Sequence, residues 1–134
     1  TDTRMAWSGI NKKKLAEYGG EAFCFMSDED VAQEAKDRGC TRAAICMERG
    51  AALGKEVIFA VGNAPTALIR LYELIKAGEV KPALIIGAPV GFVNVVEAKE
   101  LIMTAGVPYI VPKGRKGGSN IAATICNAML YYKG

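Results

Sequence analysis

The sequence predicts an α/β fold in which a parallel sheet lies between two layers of helices. Short runs of consecutive apolar residues, including VIFAV at 57–61 and ALIIG at 83–87, are typical of strands that are buried on both faces. Longer segments with apolar residues three or four positions apart separate these runs and predict helices. Because strands that alternate with helices form βαβ units, we expect a three-layer α/β/α arrangement with a parallel sheet.

The first half of the chain predicts three helices and one strand. Ser27 or Asp28 can cap a helix whose first turn carries acidic residues, and Thr41 can cap the next helix. The run AFCFM is apolar throughout and is expected to be a buried strand. In chain order, the predicted elements are a helix at 5–18, a strand at 22–26, and helices at 27–39 and 40–50.

The second half of the chain repeats a strand and a helix three times. Glycine is favoured just past a helix end, so we expect the first of these helices to end at Gly78 and the second at Gly106. The predicted strands lie at 57–61, 83–87 and 108–111, and the helices that follow them lie at 64–78, 94–106 and 119–133.

Size and charge limit the classes of function. With 134 residues, of which 51% are hydrophobic, the chain is expected to form one domain spanning 1–134. A net charge of only +3 excludes a general nucleic-acid binder, so any anion binding must be confined to a local patch. Glycine, proline or a charged residue interrupts each apolar run before it could span a membrane. We therefore expect a cytoplasmic protein with neither a nucleic-acid nor a membrane partner.

The spacing of the cysteines and the lack of histidine limit the metal sites and the catalytic groups that the chain can form. Cys24, Cys40, Cys46 and Cys126 include no C-x-x-C pair, and the chain has no histidine, which argues against a zinc site. We interpret the cysteines as buried thiols in a reducing compartment and expect neither a metal nor a cofactor. Without histidine, acid–base chemistry would fall to a carboxylate, a tyrosine or a lysine.

The loops that follow the strands are the expected ligand-binding region. In an open parallel sheet, ligands bind beyond the carboxyl ends of the strands. Asn63 is a candidate helix cap, although Asn63 and Thr66 could equally direct polar groups at a ligand. Phe92 and Val93 are expected either to pack inward or to form an apolar floor for a ligand or a dimer partner. The three loops are GNAPT at 62–66, GAPVGFVN at 87–94 and PKGRKGGSN at 112–120.

The segment KGRKGGSN predicts an anion-binding loop. Gly117 and Gly118 can expose backbone N–H groups at a helix start, Ser119 or Asn120 can cap that helix, and Arg115 can bind a carboxylate or phosphate through two hydrogen bonds. The spacing does not match a Walker A motif. A solvated basic loop remains an alternative. A nucleotide-binding domain is another, but an acidic residue for the ribose is missing at a strand end.

Several segments, taken in order, cover almost the whole chain: TDTRM, SGIN, CTRAA, GNAPTAL, PALIIGAPVGFVNVVEAKE and GVPYIVPKGRKGGSNIAATICNA. Together they resemble the precorrin-8X methylmutase family of cobalamin biosynthesis. The resemblance implies a flavodoxin-like fold, a homodimer with the corrinoid near the subunit interface, and an isomerase that moves a methyl group from C-11 to C-12 of the macrocycle. The implied substrate is precorrin-8X or cobalt-precorrin-8, and the implied product is hydrogenobyrinic acid or its cobalt form.

The resemblance also implies a set of substrate-binding residues. The ring carries carboxylate arms, which suit a loop with glycines and a guanidinium, while the apolar GFV segment suits the flat macrocycle. By matching motif positions, substrate-binding roles fall on Arg4, Asn11, Arg42, Asn63, Thr66, Phe92, Arg115, Gly117, Gly118 and Ser119.

The chain differs from the family pattern at its N-terminus, and we expect it to be either an N-terminally short member of the family or a fragment of one. Family members are longer there, and the histidine that is regarded as catalytic lies in that additional region, so no catalytic residue is assigned. We expect TDT at 1–3 to be the end of a strand. One hypothesis is a methylmutase-like isomerase whose turnover is reduced by about two to four powers of ten for want of that acid. The alternative is a non-catalytic protein that binds a corrinoid or another tetrapyrrole.

Overall fold

A computed structural model describes residues 1–54, 56–90, 95–112 and 116–131, without the side chain of residue 131. These residues form seven helices and three strands. In chain order they are α1 (Arg4–Gly9), α2 (Lys12–Glu17), α3 (Glu29–Arg38), α4 (Arg42–Ala51), β1 (Ile58–Val61), α5 (Pro65–Lys76), β2 (Leu84–Gly87), α6 (Val95–Met103), β3 (Tyr109–Ile110) and α7 (Ser119–Tyr131).

The three strands form one parallel sheet in the order β1-β2-β3. Ile58 pairs with Leu84 in the first ladder, and Ile85 pairs with Tyr109 in the second. The strands predicted at 57–61, 83–87 and 108–111 are thereby confirmed, each somewhat shorter than its apolar run, whereas TDT at 1–3 is not a strand. Consecutive parallel strands that lie side by side agree with the flavodoxin-like order.

The two faces of the sheet carry different cores. On one face, Phe59, Val61 and Ile85 pack in a large cluster with buried residues of α3, α4, α5 and α6. On the other face, Ala60 and Ile86 pack with small buried residues of α1 and α7. Side chains of a strand alternate between faces, so each strand supplies both cores. The three-layer α/β/α prediction is confirmed.

The helix predicted at 5–18 is two short helices, and that prediction was wrong. Ile10 has an extended backbone, and the Asn11 side chain caps α2 by accepting a hydrogen bond from the Lys14 N–H at 3.0 Å. Asn127 on α7 holds this break, because its side chain accepts from the Asn11 N–H at 2.7 Å and donates to the Gly9 carbonyl at 2.8 Å. The apolar periodicity that predicted one helix at 5–18 continues across this break. The capping hydrogen bonds nevertheless end α1 and start α2.

The run AFCFM at 22–26 is not a strand, contrary to prediction. Its backbone carbonyls accept from groups outside any sheet. The Trp7 indole N–H donates to the Ala22 carbonyl at 3.0 Å, and the backbone nitrogen of Thr1 donates to the Phe23 carbonyl at 2.9 Å. Phe25 and Met26 are partly buried against the large core. Burial thus accounts for the apolar run, although no described strand pairs with it.

The predicted helix ends are partly confirmed. Thr41 caps α4, since its hydroxyl accepts from the Ala44 N–H at 3.1 Å. Gly78 follows α5 with a φ of 76°, a left-handed conformation that favours glycine. Helix α6 ends at Met103, three residues before Gly106. Within the described part of the chain, no helix is long and apolar enough to cross a membrane.

Glu48 links three helices on the outer surface of the large core. Its carboxylate accepts from Arg38 of α3 at 2.7 Å and from Arg70 of α5 at 2.9 Å. The Arg38 guanidinium, followed by that of Arg70, lowers the pKa of Glu48 against the opposing effect of burial. Glu48 therefore stabilises the fold most above its ordinary pKa of 4.5, and this contribution is lost as the pH falls through the lower folded-state pKa.

We expect Glu48→Gln to lower the free energy of unfolding at pH 7 by about 1 kcal/mol, a typical value for a partly exposed ion pair. Because the wild type loses this stabilisation in acid, the two proteins should converge as the pH falls below the lowered pKa of Glu48. Denaturant unfolding at several pH values measures the effect. Replacing the exposed Glu79 with glutamine serves as the control. Parallel stability curves for Glu48→Gln and the wild type would contradict the assignment.

Candidate functional site

Several helices begin at the edge of the sheet where β1 and β2 end. The Thr3 hydroxyl, which caps α1, lies 2.7 Å from the Ser119 hydroxyl at the start of α7. The Thr41 hydroxyl, which caps α4, lies 3.1 Å from the Thr66 hydroxyl in the first turn of α5. We call this region the carboxyl edge, and it comprises Asp2–Arg4, Thr41–Arg42, Gly62–Thr66, Ala88–Val90 and Lys116–Asn120. Helix N-termini carry partial positive charge, so their convergence favours anions.

Asp2 organises the turn between β1 and α5. Its carboxylate is fully buried and accepts three hydrogen bonds, from the N–H groups of Gly62 at 2.8 Å, Asn63 at 3.0 Å and Ala64 at 2.9 Å. The Asp2 N–H also donates to the Ala60 carbonyl of β1 at 3.4 Å, so the N-terminal segment runs beside that strand. A carboxylate from a distant part of the chain therefore satisfies the donors at the start of α5.

The Asp2 contacts correct the prediction that Asn63 caps α5. The residue at the N-cap position is Ala64, without a side-chain capping hydrogen bond, while the Asn63 side chain is exposed. Asp2 was missed because its partners lie about 60 positions away in the chain, and no local pattern links them. The exposed amide of Asn63 stays available to a ligand.

Gly117 and Gly118 bring the loop before α7 against the loop after β2. A Cβ atom on Gly117 would collide with the Pro89 carbonyl oxygen and lie 2.5 Å from that of Ala88. The Gly118 N–H donates to the Ala88 carbonyl at 2.8 Å, so it is not exposed to a ligand in the way that the sequence suggested. Gly117 thus allows a close backbone approach that a larger residue would prevent.

The loop after β1 joins the same contact region. The Val90 N–H donates to the Asn63 carbonyl at 3.1 Å. A Cβ atom on Gly62 would lie 2.6 Å from the Cα of Ser119. The Ser119 hydroxyl pairs with Thr3 and lies in the first residue of α7. All three loops predicted as the ligand-binding region therefore meet along their described residues.

The structure brings most of the sequence-predicted residues to the carboxyl edge. Arg42, Asn63 and Thr66 are exposed there, and Gly117, Gly118 and Ser119 are partly buried beside them. Arg4 is also exposed, and its guanidinium lies 4.8 Å from the centre of the Trp7 ring. Asn11 lies beyond the far end of α1, roughly 9 Å along the helix from its start. Its described contacts hold the junction of α1 and α2. Phe92 and Arg115 lie outside the described residues.

The cysteines are free thiols, and Cys40 lies beside the carboxyl edge, next to Thr41. Burial raises the pKa of Cys46 to about 11, so this thiol stays protonated and unreactive near neutral pH. Burial also raises the pKa of Cys126. Among the residues that the structure describes, no group of cysteine and acidic side chains is placed to hold a metal ion.

A cavity of about 530 Å³ lies elsewhere, along the outer side of β1. Its lining is mostly apolar and includes Phe25, Met47 and Phe59, with Glu21 and Glu56 as its charged side chains. Among the lining residues that the structure describes, these acidic groups occur without lysine or arginine, which disfavours an anionic ligand. Of the predicted site residues that the structure describes, none lines this cavity. The carboxyl edge is therefore the better candidate for binding a polycarboxylate.

Comparison with known proteins agrees with the sequence resemblance. A family model described as precorrin-8X methylmutase matches residues 1–132. The cobalt-precorrin-8 methylmutase of Priestia megaterium is 47% identical over 128 residues, which cover 96% of this chain and 57% of that protein. The cobalt-precorrin-8 methylmutase of Salmonella typhimurium is 46% identical over 133 residues, which cover 98% of this chain and 61% of that protein.

A solved structure shares the fold. The precorrin-8X methylmutase from Thermus thermophilus superimposes with a TM-score of 0.84 at 39% sequence identity, covering 96% of this chain and 63% of that one. This chain thus spans about three fifths of the length of these relatives. Nearly all of its residues align with the family model and with the solved structure, and the chain belongs to the precorrin-8X methylmutase family.

Proposed function

We propose that this chain binds a corrinoid at the carboxyl edge and acts in the methylmutase reaction. In that reaction a methyl group moves from C-11 to C-12 of the macrocycle of precorrin-8X or cobalt-precorrin-8. The observation that carries the proposal is the convergence of the three loops and of the starts of α4, α5 and α7 at one edge of the sheet. Family membership supports the same reaction for this chain.

The chemistry of the carboxyl edge suits a ring with carboxylate arms. Arg42 and Lys116 are exposed there, and Arg115 belongs to the same loop in sequence. A guanidinium binds a carboxylate through two parallel hydrogen bonds, and the nearby helix N-termini add partial positive charge. Because Asp2 already occupies the N–H groups of residues 62–64, we assign recognition of the arms to side chains and to the other helix starts.

In this proposal, the residues of this chain contribute mainly to positioning the ring. A methyl shift within one molecule is accelerated when the reacting carbons are held in the productive geometry, and a proton donor adds to that effect. The chain contains no histidine, so a histidine acid is not among the groups that it contributes. The exposed hydroxyl of Thr66 and the amide of Asn63 orient the polar edge of the ring in this scheme.

The proposal includes a homodimer and a cytoplasmic location. Tyr109 and Ile110 on the edge strand β3 are 45% and 39% exposed, and apolar side chains at a sheet edge favour contact with another copy. The four free thiols fit a reducing compartment.

A visible-spectrum titration with hydrogenobyrinic acid tests the binding site. We expect saturable binding by the wild type and about tenfold weaker binding by Arg42→Ala, since a charged hydrogen-bonding group contributes at least about 1.4 kcal/mol. Lys81→Ala removes an exposed positive charge just before β2, at the opposite edge, and should bind like the wild type. Absence of saturable wild-type binding would refute the proposal, and equal losses in both variants would refute the location of the site. Sedimentation of the same samples gives the number of subunits.

A further inference from the structure

Lys99 is a buried lysine on α6. Its side chain is only 3% exposed, and its helical neighbours Val95, Ala98 and Ile102 are buried in the core around it. A buried ammonium is costly unless it is hydrogen-bonded. Lys99 therefore needs acceptors, and it finds them on a loop of the carboxyl edge. The segment VVEAKELIM also carries Glu97 and Glu100, which are exposed, so the sequence alone did not distinguish Lys99 as buried.

The Lys99 ammonium donates to two backbone carbonyls of the loop between β3 and α7. The carbonyl of Pro112 lies 2.9 Å away and that of Lys116 lies 2.5 Å away. These two residues stand on either side of Lys113, Gly114 and Arg115 in the sequence, so one side chain joins both ends of that basic stretch.

The same loop is held from a second side. Immediately after Lys116, Gly117 and Gly118 lie against the carbonyls of Ala88 and Pro89. The glycine contacts hold the end of the loop against the segment after β2, while Lys99 holds both ends of the basic stretch against α6. An apolar side chain of similar length would fill the space of Lys99 but could not donate hydrogen bonds to the carbonyls of Pro112 and Lys116. The hydrogen bonds therefore distinguish a positioning role from simple packing.

We propose that Lys99 is a positioning residue, which fixes Pro112 and Lys116 of the loop between β3 and α7 so that the exposed side chain of Lys116 meets a carboxylate arm of the ligand. This inference rests on the proposed function, because it assigns the loop to the same ligand. Lys99 itself is not assigned a contact with the ring.

The test compares Lys99→Met, which keeps the length of the side chain, with Lys99→Arg, which keeps donors. Two quantities are measured: hydrogen–deuterium exchange of the backbone amides in 112–118, and the Kd for hydrogenobyrinic acid. We expect Lys99→Met to exchange at least about tenfold faster in this loop and to bind at least about tenfold more weakly, and Lys99→Arg to recover part of both losses. Ile102→Val on the same helix, a mild core change, should alter neither quantity.

The outcomes separate this inference from the proposed function. If the wild type does not bind hydrogenobyrinic acid, the proposed function fails, while the exchange data still decide whether Lys99 holds the loop. If the wild type binds and Lys99→Met binds equally well, or exchanges no faster than Ile102→Val, the positioning role is refuted. Should Lys99→Met not fold, Lys99→Gln, which keeps a shorter donor, is judged by the same two measurements.

Discussion

Asp2→Ala is expected to lower the free energy of unfolding by about 3 kcal/mol, because it leaves three N–H donors at the start of α5 without their acceptor. The Asp2 carboxylate is fully buried, and water cannot readily take its place while the turn keeps its packing. Asp2→Asn, which keeps one acceptor oxygen, should lose less than Asp2→Ala. Denaturant unfolding measures the stability, and the amide resonances of Gly62 and Ala64 report the local change.

Asp28→Ala is the matched control for Asp2→Ala. Asp28 also stands at a helix start, at the N-cap of α3, but it makes no described side-chain capping hydrogen bond and is exposed. We expect its replacement to cost less than about 1 kcal/mol, the range of an exposed charge at a helix N-terminus. Equal losses of unfolding free energy in the two variants would mean that the three hydrogen bonds of Asp2 add no stability beyond that of an exposed acid at a helix start.

Gly117→Ala is the second change for which we expect a large effect. The added methyl group would collide with the backbone oxygen of Pro89 and lie 2.5 Å from that of Ala88, and backbone atoms cannot swing aside as a flexible side chain can. The loop must then move away from the segment after β2, at a cost of about 1–3 kcal/mol. We expect at least about tenfold weaker binding of hydrogenobyrinic acid as well, because the two loops form one surface.

Gly78→Ala separates this steric effect from the general cost of replacing a loop glycine. Gly78 has a φ of 76°, and a Cβ atom added there would have no neighbour within 4 Å, so alanine should cost about 1–2 kcal/mol through the left-handed backbone alone. Its corrinoid affinity should equal that of the wild type. If Gly117→Ala also kept wild-type affinity, the close approach of the loops would have no part in the binding site.

The strands that the sequence predicted well are those that lie between two layers of helices. The runs VIFAV and ALIIG lie between two helix layers, so every side chain is apolar and the strand is recognisable without knowing its partners. AFCFM has the same composition, but its carbonyls at Ala22 and Phe23 accept from Trp7 and from Thr1. An apolar run thus reveals that a segment is buried, while strand formation requires a partner strand that the run does not specify.

In the candidate site, too, the sequence predicted some features and missed others. The glycines and basic residues of KGRKGGSN, together with the rule that ligands bind at the carboxyl ends of parallel strands, sufficed to predict the loop and its edge of the sheet. The carboxylate of Asp2 and the ammonium of Lys99 were not assigned to that edge, although both hold its loops in place. Both side chains bind backbone groups. Because every residue has a backbone carbonyl, and every residue except proline a backbone N–H, the sequence does not show which of these groups a side chain will bind.

By itself, the sequence determined the α/β class, the parallel strands β1 and β2, and the family, because local periodicity and motif order survive without knowledge of the fold. Only the tertiary structure decided where α1 ends, which acid holds the turn before α5, and which glycines tolerate no side chain. These features depend on contacts between residues far apart in the chain. Such contacts exist only once the helices have packed on the sheet and brought the distant backbone groups within hydrogen-bonding distance.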